Sequence, residues 1–407
     1  MRSAWLGRSS VFAASLLLSA ACHDSTTAYL KNGGSPSGGG NASGNPDTMY
    51  ATAVVDHVSG VDVTGTWGGL VLLVSSDQSL RIFSADTWSN RLRYASCDTA
   101  CDQAASWASV TVDSASNSYT PSLGAVSTTS GITVVGATRP GGLRITTCAT
   151  DCASAANWQA GSIFSNGVIT NNGLGRSTPL AADASGGLHL ILGDFFTTDL
   201  TYGECSSGCL TEGNWQTIVI DSGANTWFAK TIAVDANGHV HLVYQRTDSL
   251  LTYATCASAC TTASNWHFAT IDPTTYLSGY AGGFNGVSLA FGAGNAVDLA
   301  YVVKDSVKYA HCDSSCAGGG AWTVAPLGRA TYDAALQADA SGSLHLATNY
   351  GSVAVATCAS SCGTPASWVT TRADSVPGGY YVALSLDAAG HERIASSSAF
   401  LQYTRIK

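Results

Sequence analysis

The chain has 407 residues, of which 45% are hydrophobic and only 11% charged, with 44 glycines and a formal net charge of −9. That composition excludes a disordered chain and fits a compact, turn-rich β protein. Five lysines and no basic cluster argue against a nucleic-acid partner.

Arg2 and Arg8 supply a short positive region, and Val11 to Ala21 is an eleven-residue apolar run. Such a run is too short to cross a bilayer and has the length of a signal-peptide core. It ends Leu18-Ser19-Ala20-Ala21-Cys22. This ending resembles a bacterial lipobox, with Ser19 where Leu is usual. The resemblance implies that residues 1–21 are removed as a signal peptide and that Cys22 is lipidated. Cys22 is also the one cysteine of thirteen outside the repeats described next. Residues 22–48 read as a flexible, lipid-anchored linker rich in Gly, Ser and Asn. Its random-coil reach is roughly 25–30 Å. The expected address is the outer membrane or surface of a Gram-negative bacterium, with the anchor as the membrane contact.

From residue 49 to 407 the chain repeats. Six copies of Cys-x3-Cys-x5-Trp begin at Cys97, Cys148, Cys205, Cys256, Cys312 and Cys358, spaced 46 to 57 residues apart. A period of this size indicates a repeat architecture. In the best-formed unit, Trp215 to Asp221, Thr231 to Asp235, His239 to Tyr244 and Leu251 to Cys256 read as four short strands. A tight turn, Asp235-Ala-Asn-Gly238, joins the second and third, with Gly where positive φ is needed. The turn recurs at Asp183, Asp339 and Asp387, and more weakly at Thr128–Gly131 and Gly292–Asn295. A four-stranded sheet of this size cannot bury both faces alone, so the units must pack in a ring, as a β-propeller.

Seven sets of three inner strands are visible, but only six Trp-led outer strands. The missing strand is Tyr50 to Asp56, an aromatic followed by Asp six positions later, the spacing of Trp107–Asp113, Trp215–Asp221, Trp266–Asp272 and Trp368–Asp374. The expected fold is therefore all-β, a seven-bladed propeller closed by the N-terminal strand. A six-bladed ring with an irregular terminal unit is the alternative.

The cysteines are expected to pair within each motif: Cys97 with Cys101, Cys148 with Cys152, Cys205 with Cys209, Cys256 with Cys260, Cys312 with Cys316 and Cys358 with Cys362. Each bridge would pin the outer hairpin of its blade, in an oxidising compartment. A shared metal would need pairs from separate blades to converge, so no metal and no cofactor is expected, and His311 beside Cys312 stands alone. The six tryptophans read as packing between blades. His189, His241 and His345 share one position after the turn, where other blades carry Arg81, Thr133, Asp298 and Arg393. This position reads as buried histidines bonded to the turn backbone.

Ligand contacts are sought in the variable loops between blades and between the inner strands. Tyr119, Trp227, Tyr332 and Tyr380 recur beside the innermost strand, with Trp88, Arg176 and Tyr280 in neighbouring loops. A ring of such aromatics suits stacking on sugars or holding a peptide.

The stretch Trp227 to Tyr253 carries the fullest form of a signature: aromatic, Leu/Ile, Asp-x-x-Gly, His-Leu/Ile-x-Tyr, then Leu-x-Tyr-Ala. It resembles bacterial surface proteins with sialidase-like (BNR-type) propellers, and the likeness covers residues 50 to 407. The resemblance implies the fold. Sialidases also carry Ser-x-Asp-x-Gly-x-x-Trp boxes, an arginine triad and a Tyr/Glu nucleophile pair, and the boxes are missing here. Of the three glutamates, Glu204 and Glu212 flank a cysteine pair, and Glu392 is the third. The expected function is a monomeric, surface-displayed binding protein for a glycan, surface polymer or protein, with a polysaccharide-processing hydrolase or lyase as the alternative.

Overall fold

The computed structural model describes residues 50–56, 69–86, 90–114, 119–138, 142–164, 180–193, 198–224, 230–248, 250–273, 286–303, 306–318, 320–329, 333–349, 352–377, 381–397 and 401–406. These residues form seven antiparallel sheets of four strands each, the blades of a propeller. Six blades are simple meanders, numbered in chain order over residues 70–114, 119–163, 180–221, 231–272, 287–329 and 334–377. Blade 4, for example, runs Thr231–Val234, Val240–Gln245, Leu251–Cys256 and His267–Asp272 from inside to outside. Blade 7 takes Tyr381–Leu386, Glu392–Ser397 and Leu401–Ile406 from the C-terminal end and completes itself with Tyr50–Asp56.

The closing strand is the same element as the Trp-led outer strands. It pairs antiparallel with Leu401–Ile406, from Tyr50↔Ile406 to Asp56↔Leu401, with a register shift just before Asp56. Asp113, Asp221 and Asp272 sit opposite Leu92, Leu200 and Leu251 beside the same shift. A shared bulge at the strand's end is a fold-specific feature. Blade 6 departs from it: there the shift carries Pro377 opposite Ser352.

Burial peaks at the second strand of a blade and falls towards the outer one. Every residue of Val240–Gln245 is buried, because a second strand has a neighbouring blade against each face. Half of Gln216–Asp221, an outer strand, is exposed to solvent. The buried apolar side chains fall into seven clusters, each built from two adjacent blades. Tyr202 of blade 3 packs with Leu242 and Trp266 of blade 4, and Val55 of the closing strand packs with Tyr403 and with Leu70 and Ile82 of blade 1. The core is thus a circle of seams, so an open ring would leave apolar faces in water.

All six expected disulfides are present, with Cα–Cα distances of 5.7 to 5.8 Å. They lie between the third and outer strands. In each, the tryptophan indole N–H donates to the carbonyl of the second cysteine, at 2.8 to 3.2 Å. The indole then lies edge-on against an aromatic of the preceding blade, as Trp266 on Tyr202, Trp322 on Tyr253 and Trp368 on Tyr309. The cystine loop therefore aims its tryptophan across the seam, a geometry that suits aromatic pairs. Six disulfides are the mark of an oxidising, exported setting. No described helix is long and apolar enough to cross a membrane.

Candidate functional site

Strand direction alternates, so the Asp-x-x-Gly turns and the cystine loops share one face of the ring. The crossings between blades share the other. The turns set the chemistry of the first face. Gly186, Gly238, Gly342 and Gly390 take φ of 87°, 83°, 86° and 81°, the left-handed geometry expected of them. Each turn aspartate divides its two oxygens. Oδ1 of Asp235 accepts the backbone N–H of Asn237 and His239 at 2.9 and 2.8 Å, and Asp183, Asp339 and Asp387 do the same in their turns. Oδ2 is then free to reach the side chain six residues on. His189 Nε2 lies 3.3 Å from Asp183 Oδ2, His345 Nε2 lies 3.4 Å from Asp339 Oδ2, and Arg393 Nη2 donates to Asp387 Oδ2 at 2.5 Å. His189 and His345 are thus buried structural groups, but they bond to turn carboxylates rather than to turn backbone.

Between blades 4 and 5 this face opens into a groove of about 470 Å³. Asp235, His239 and His241 come from the turn of blade 4, His267 from its outer strand, and Asn295 and Asp313 from blade 5. His241 is 6% exposed, with Nδ1 2.6 Å from the Tyr253 hydroxyl and its ring against Phe291. Burial pushes its pKa down to about 4. Burial raises the carboxyl of Asp235, but the two backbone donors outweigh it and hold the pKa below the usual range.

A second groove, of about 490 Å³, lies between blades 5 and 6. Its floor is a chain of polar contacts. The Tyr309 hydroxyl donates to Asp298 Oδ1 at 2.5 Å, His311 Nδ1 lies 2.8 Å from the same oxygen, and His311 Nε2 lies 2.9 Å from Asp313 Oδ1. Burial disfavours the charged form of His311, yet these two carboxylates raise its pKa above the ordinary value. His311 is therefore not isolated. Its neighbour Cys312 is committed to a disulfide, so the contact runs to aspartates.

The opposite face carries a different device. The Asp that ends an outer strand takes a tyrosine hydroxyl and a cation from the next blade. Asp221 Oδ2 accepts from Tyr244 at 2.6 Å and Arg246 at 2.5 Å, and Asp272 Oδ2 from Tyr301 at 3.0 Å and Lys308 at 2.7 Å. Asp113 receives Tyr119 and Arg144 in the same way. Tyr119, expected as a ligand contact, is 1% exposed and spends its hydroxyl on this seam. It is a clamp residue and has no face left for stacking. Trp88, Arg176, Trp227, Tyr280, Tyr332 and Tyr380 lie outside the described residues, as does Cys22. Residues to which sequence reasoning assigns no ligand role, His239, His267, Asp298, His311 and Asp313, line the two grooves. One signal for them was legible: Asp235-x3-His239-x-His241 is a turn with two histidines, where the turns at Asp183, Asp339 and Asp387 have one each.

Fold and site together define a disulfide-braced, seven-bladed β-propeller with polar grooves at its blade seams. No family model matches the sequence, and no curated protein matches it. Several solved propellers are similar in structure. AofleA from Arthrobotrys oligospora superposes with a TM-score of 0.52 at 7% identity, covering 82% of this chain and 92% of its own. The GH93 alpha-L-arabinofuranosidase of Fusarium graminearum gives 0.51 at 12% identity, over 88% of this chain and 98% of its own. The fucose-recognising lectin of Aleuria aurantia, a six-bladed propeller, gives 0.50 at 12% identity, over 75% and 95%. At such identities the likeness is one of fold.

Proposed function

We propose that this protein is an exported carbohydrate-binding propeller, held at a bacterial surface by a lipid on Cys22 and set clear of the membrane by residues 22–48. The observation that carries the reading is the pair of adjacent seam grooves, about 470 and 490 Å³, on the cystine face. Their size is that of small-molecule sites. The floor of the second groove is already hydrogen-bonded within itself: Asp298 is engaged by Tyr309 and His311, and Asp313 by His311. A glycosidase of the usual kind needs two carboxylates facing the scissile bond, one of them free to donate a proton. The network here offers paired donors and acceptors, with Asp313 open to solvent, which suits recognition of hydroxyl groups. Recurrence of the groove at successive seams suits several weak contacts to one polymer, with avidity from their number. A relationship of fold with lectin and glycosidase propellers accords with this reading and with its enzyme alternative alike.

The test is a glycan array with the soluble ring, residues 48–407. Binding to a defined glycan class is expected, with at least a tenfold loss in the double variant His311→Ala/Asp313→Ala. Cleavage of an oligosaccharide by the wild type would replace the binding reading with hydrolase chemistry. For the anchor, Cys22→Ser is expected to move the protein from the membrane fraction to the soluble fraction, read by fractionation and intact mass.

A further inference from the structure

We propose that Asp235, His239 and His241 form a binding site for a divalent transition-metal ion such as zinc, open on the groove between blades 4 and 5. The inference stands apart from carbohydrate binding. Their ligand atoms all lie within 4.8 Å of one another. Asp235 Oδ2 is 3.2 Å from His239 Nδ1 and 3.5 Å from His241 Nε2. Metal–nitrogen and metal–oxygen bonds near 2.0–2.1 Å in a tetrahedron put neighbouring ligand atoms roughly 3.3 Å apart. Both measured edges are close to that.

The ion would be held by groups already oriented for it. Oδ1 of Asp235 is fixed by two backbone N–H donors, so Oδ2 alone faces the site. His241 Nδ1 lies 2.6 Å from the Tyr253 hydroxyl and donates to it once Nε2 binds the ion. Such outer contacts fix the tautomer of metal-binding histidines. His241 Nε2 is the telling atom. It is buried and has no hydrogen-bond partner, although the residue is 6% exposed. An orphaned buried nitrogen is destabilising unless something fills the place.

The repeat supplies its own comparison. Blades 3 and 6 keep the Asp–His pair, as Asp183–His189 and Asp339–His345, at hydrogen-bonding distances of 3.3 and 3.4 Å. At the position of His239 they carry Gly187 and Ser343. Blade 7 has His391 there, but Arg393 replaces the second histidine. The turn therefore forms without a histidine at the position of His239, as in blades 3 and 6. Among the described residues this is the one triad of its kind. Two nitrogens and one oxygen select zinc and its first-row neighbours over calcium or magnesium, which prefer all-oxygen sites. Three protein ligands leave a fourth position towards the groove, where His267 also lies.

The test uses the full-length protein stripped with chelator and titrated calorimetrically with Zn²⁺. One equivalent is expected, with affinity at least tenfold weaker in His239→Ser and His241→Ala and unchanged in His391→Ala. His239→Ser copies the residue of blade 6 and is expected to fold, checked by its melting curve without metal. Loading with Co²⁺ is expected to give visible bands of a low-symmetry site, absent in His239→Ser. Absence of stoichiometric Zn²⁺ binding by the wild type would overturn the proposal. So would wild-type affinity in a natively folded His239→Ser.

Discussion

Polar side chains in this ring work at the seams. His345 of blade 6 places Nδ1 2.8 Å from Glu392 Oε1 of blade 7, while its Nε2 faces Asp339. Burial disfavours charge on His345, but Glu392 and Asp339 outweigh it and raise the pKa above 6.5. Burial likewise disfavours charge on Glu392, yet His345, with His391 nearby, lowers its pKa below 4.5. A raised histidine contributes stability below its unfolded value and loses it as pH rises through the folded value. A lowered carboxylate contributes above its unfolded value and loses it as pH falls through the folded one. The pair is therefore at full strength between about pH 4.5 and 6.5. The melting temperature of the wild type is expected to exceed that of His345→Gln by most in this window, with the gap narrowing on both sides. A gap that is flat with pH would dismiss the ion pair. Trp266 is the other kind of seam residue, 4% exposed, with its ring on Tyr202 and its N–H on the Cys260 carbonyl. Trp266→Ala should cost about 3–5 kcal/mol in urea unfolding.

At the scale of the element, the cystine hairpin is the repeated part. Closing a loop of about five residues is worth only about 2 kcal/mol in the chain-entropy account. Cys256→Ala/Cys260→Ala is expected to lower unfolding free energy by that amount, and removal of pairs from distant blades should add. A much larger loss would mean that the bridge chiefly aims Trp266 across the seam. The hairpin was legible because its parts lie within one repeat: two cysteines four apart, a tryptophan after them and an Asp six further on. The turn was legible for the same reason, since only certain residues tolerate its positive φ. The seam clamps were not. Asp113 meets Arg144, Asp221 meets Arg246 and Asp272 meets Lys308, and these partners share no fixed spacing. The grooves were hidden likewise, because each is shared between two units. His239 was hidden for the opposite reason: reading the repeat by what its copies share drew attention away from the copy that differs.

For the whole molecule, the count of six outer motifs against seven inner sets was enough to place Tyr50–Asp56 in blade 7, and the structure adds its bulge opposite Leu401. Deleting residues 48–57 removes Val55 from the cluster that joins blades 7 and 1 and leaves the edge of Leu401–Ile406 bare. A lower and broader melting transition is expected by circular dichroism, and a synthetic peptide of residues 48–57 is expected to restore part of it. An unchanged melt would show that the ring closes without this strand. What composition and spacing do not reveal is which face of the ring binds. The loop aromatics other than Tyr119 lie outside the described residues, while the described grooves open on the cystine face.

The closing strand also sets an order of events. During synthesis Tyr50 emerges before every strand of the ring, yet its partner, Leu401–Ile406, emerges last. Six blades can zip up from local hairpins while the earliest segment waits, a pairing of the largest sequence separation and so the slowest to form. Until it docks, blade 7 presents a bare edge that accepts the same segment from another molecule as readily as its own. Refolding at high concentration should therefore yield exchanged dimers, and dilution should yield closed monomers.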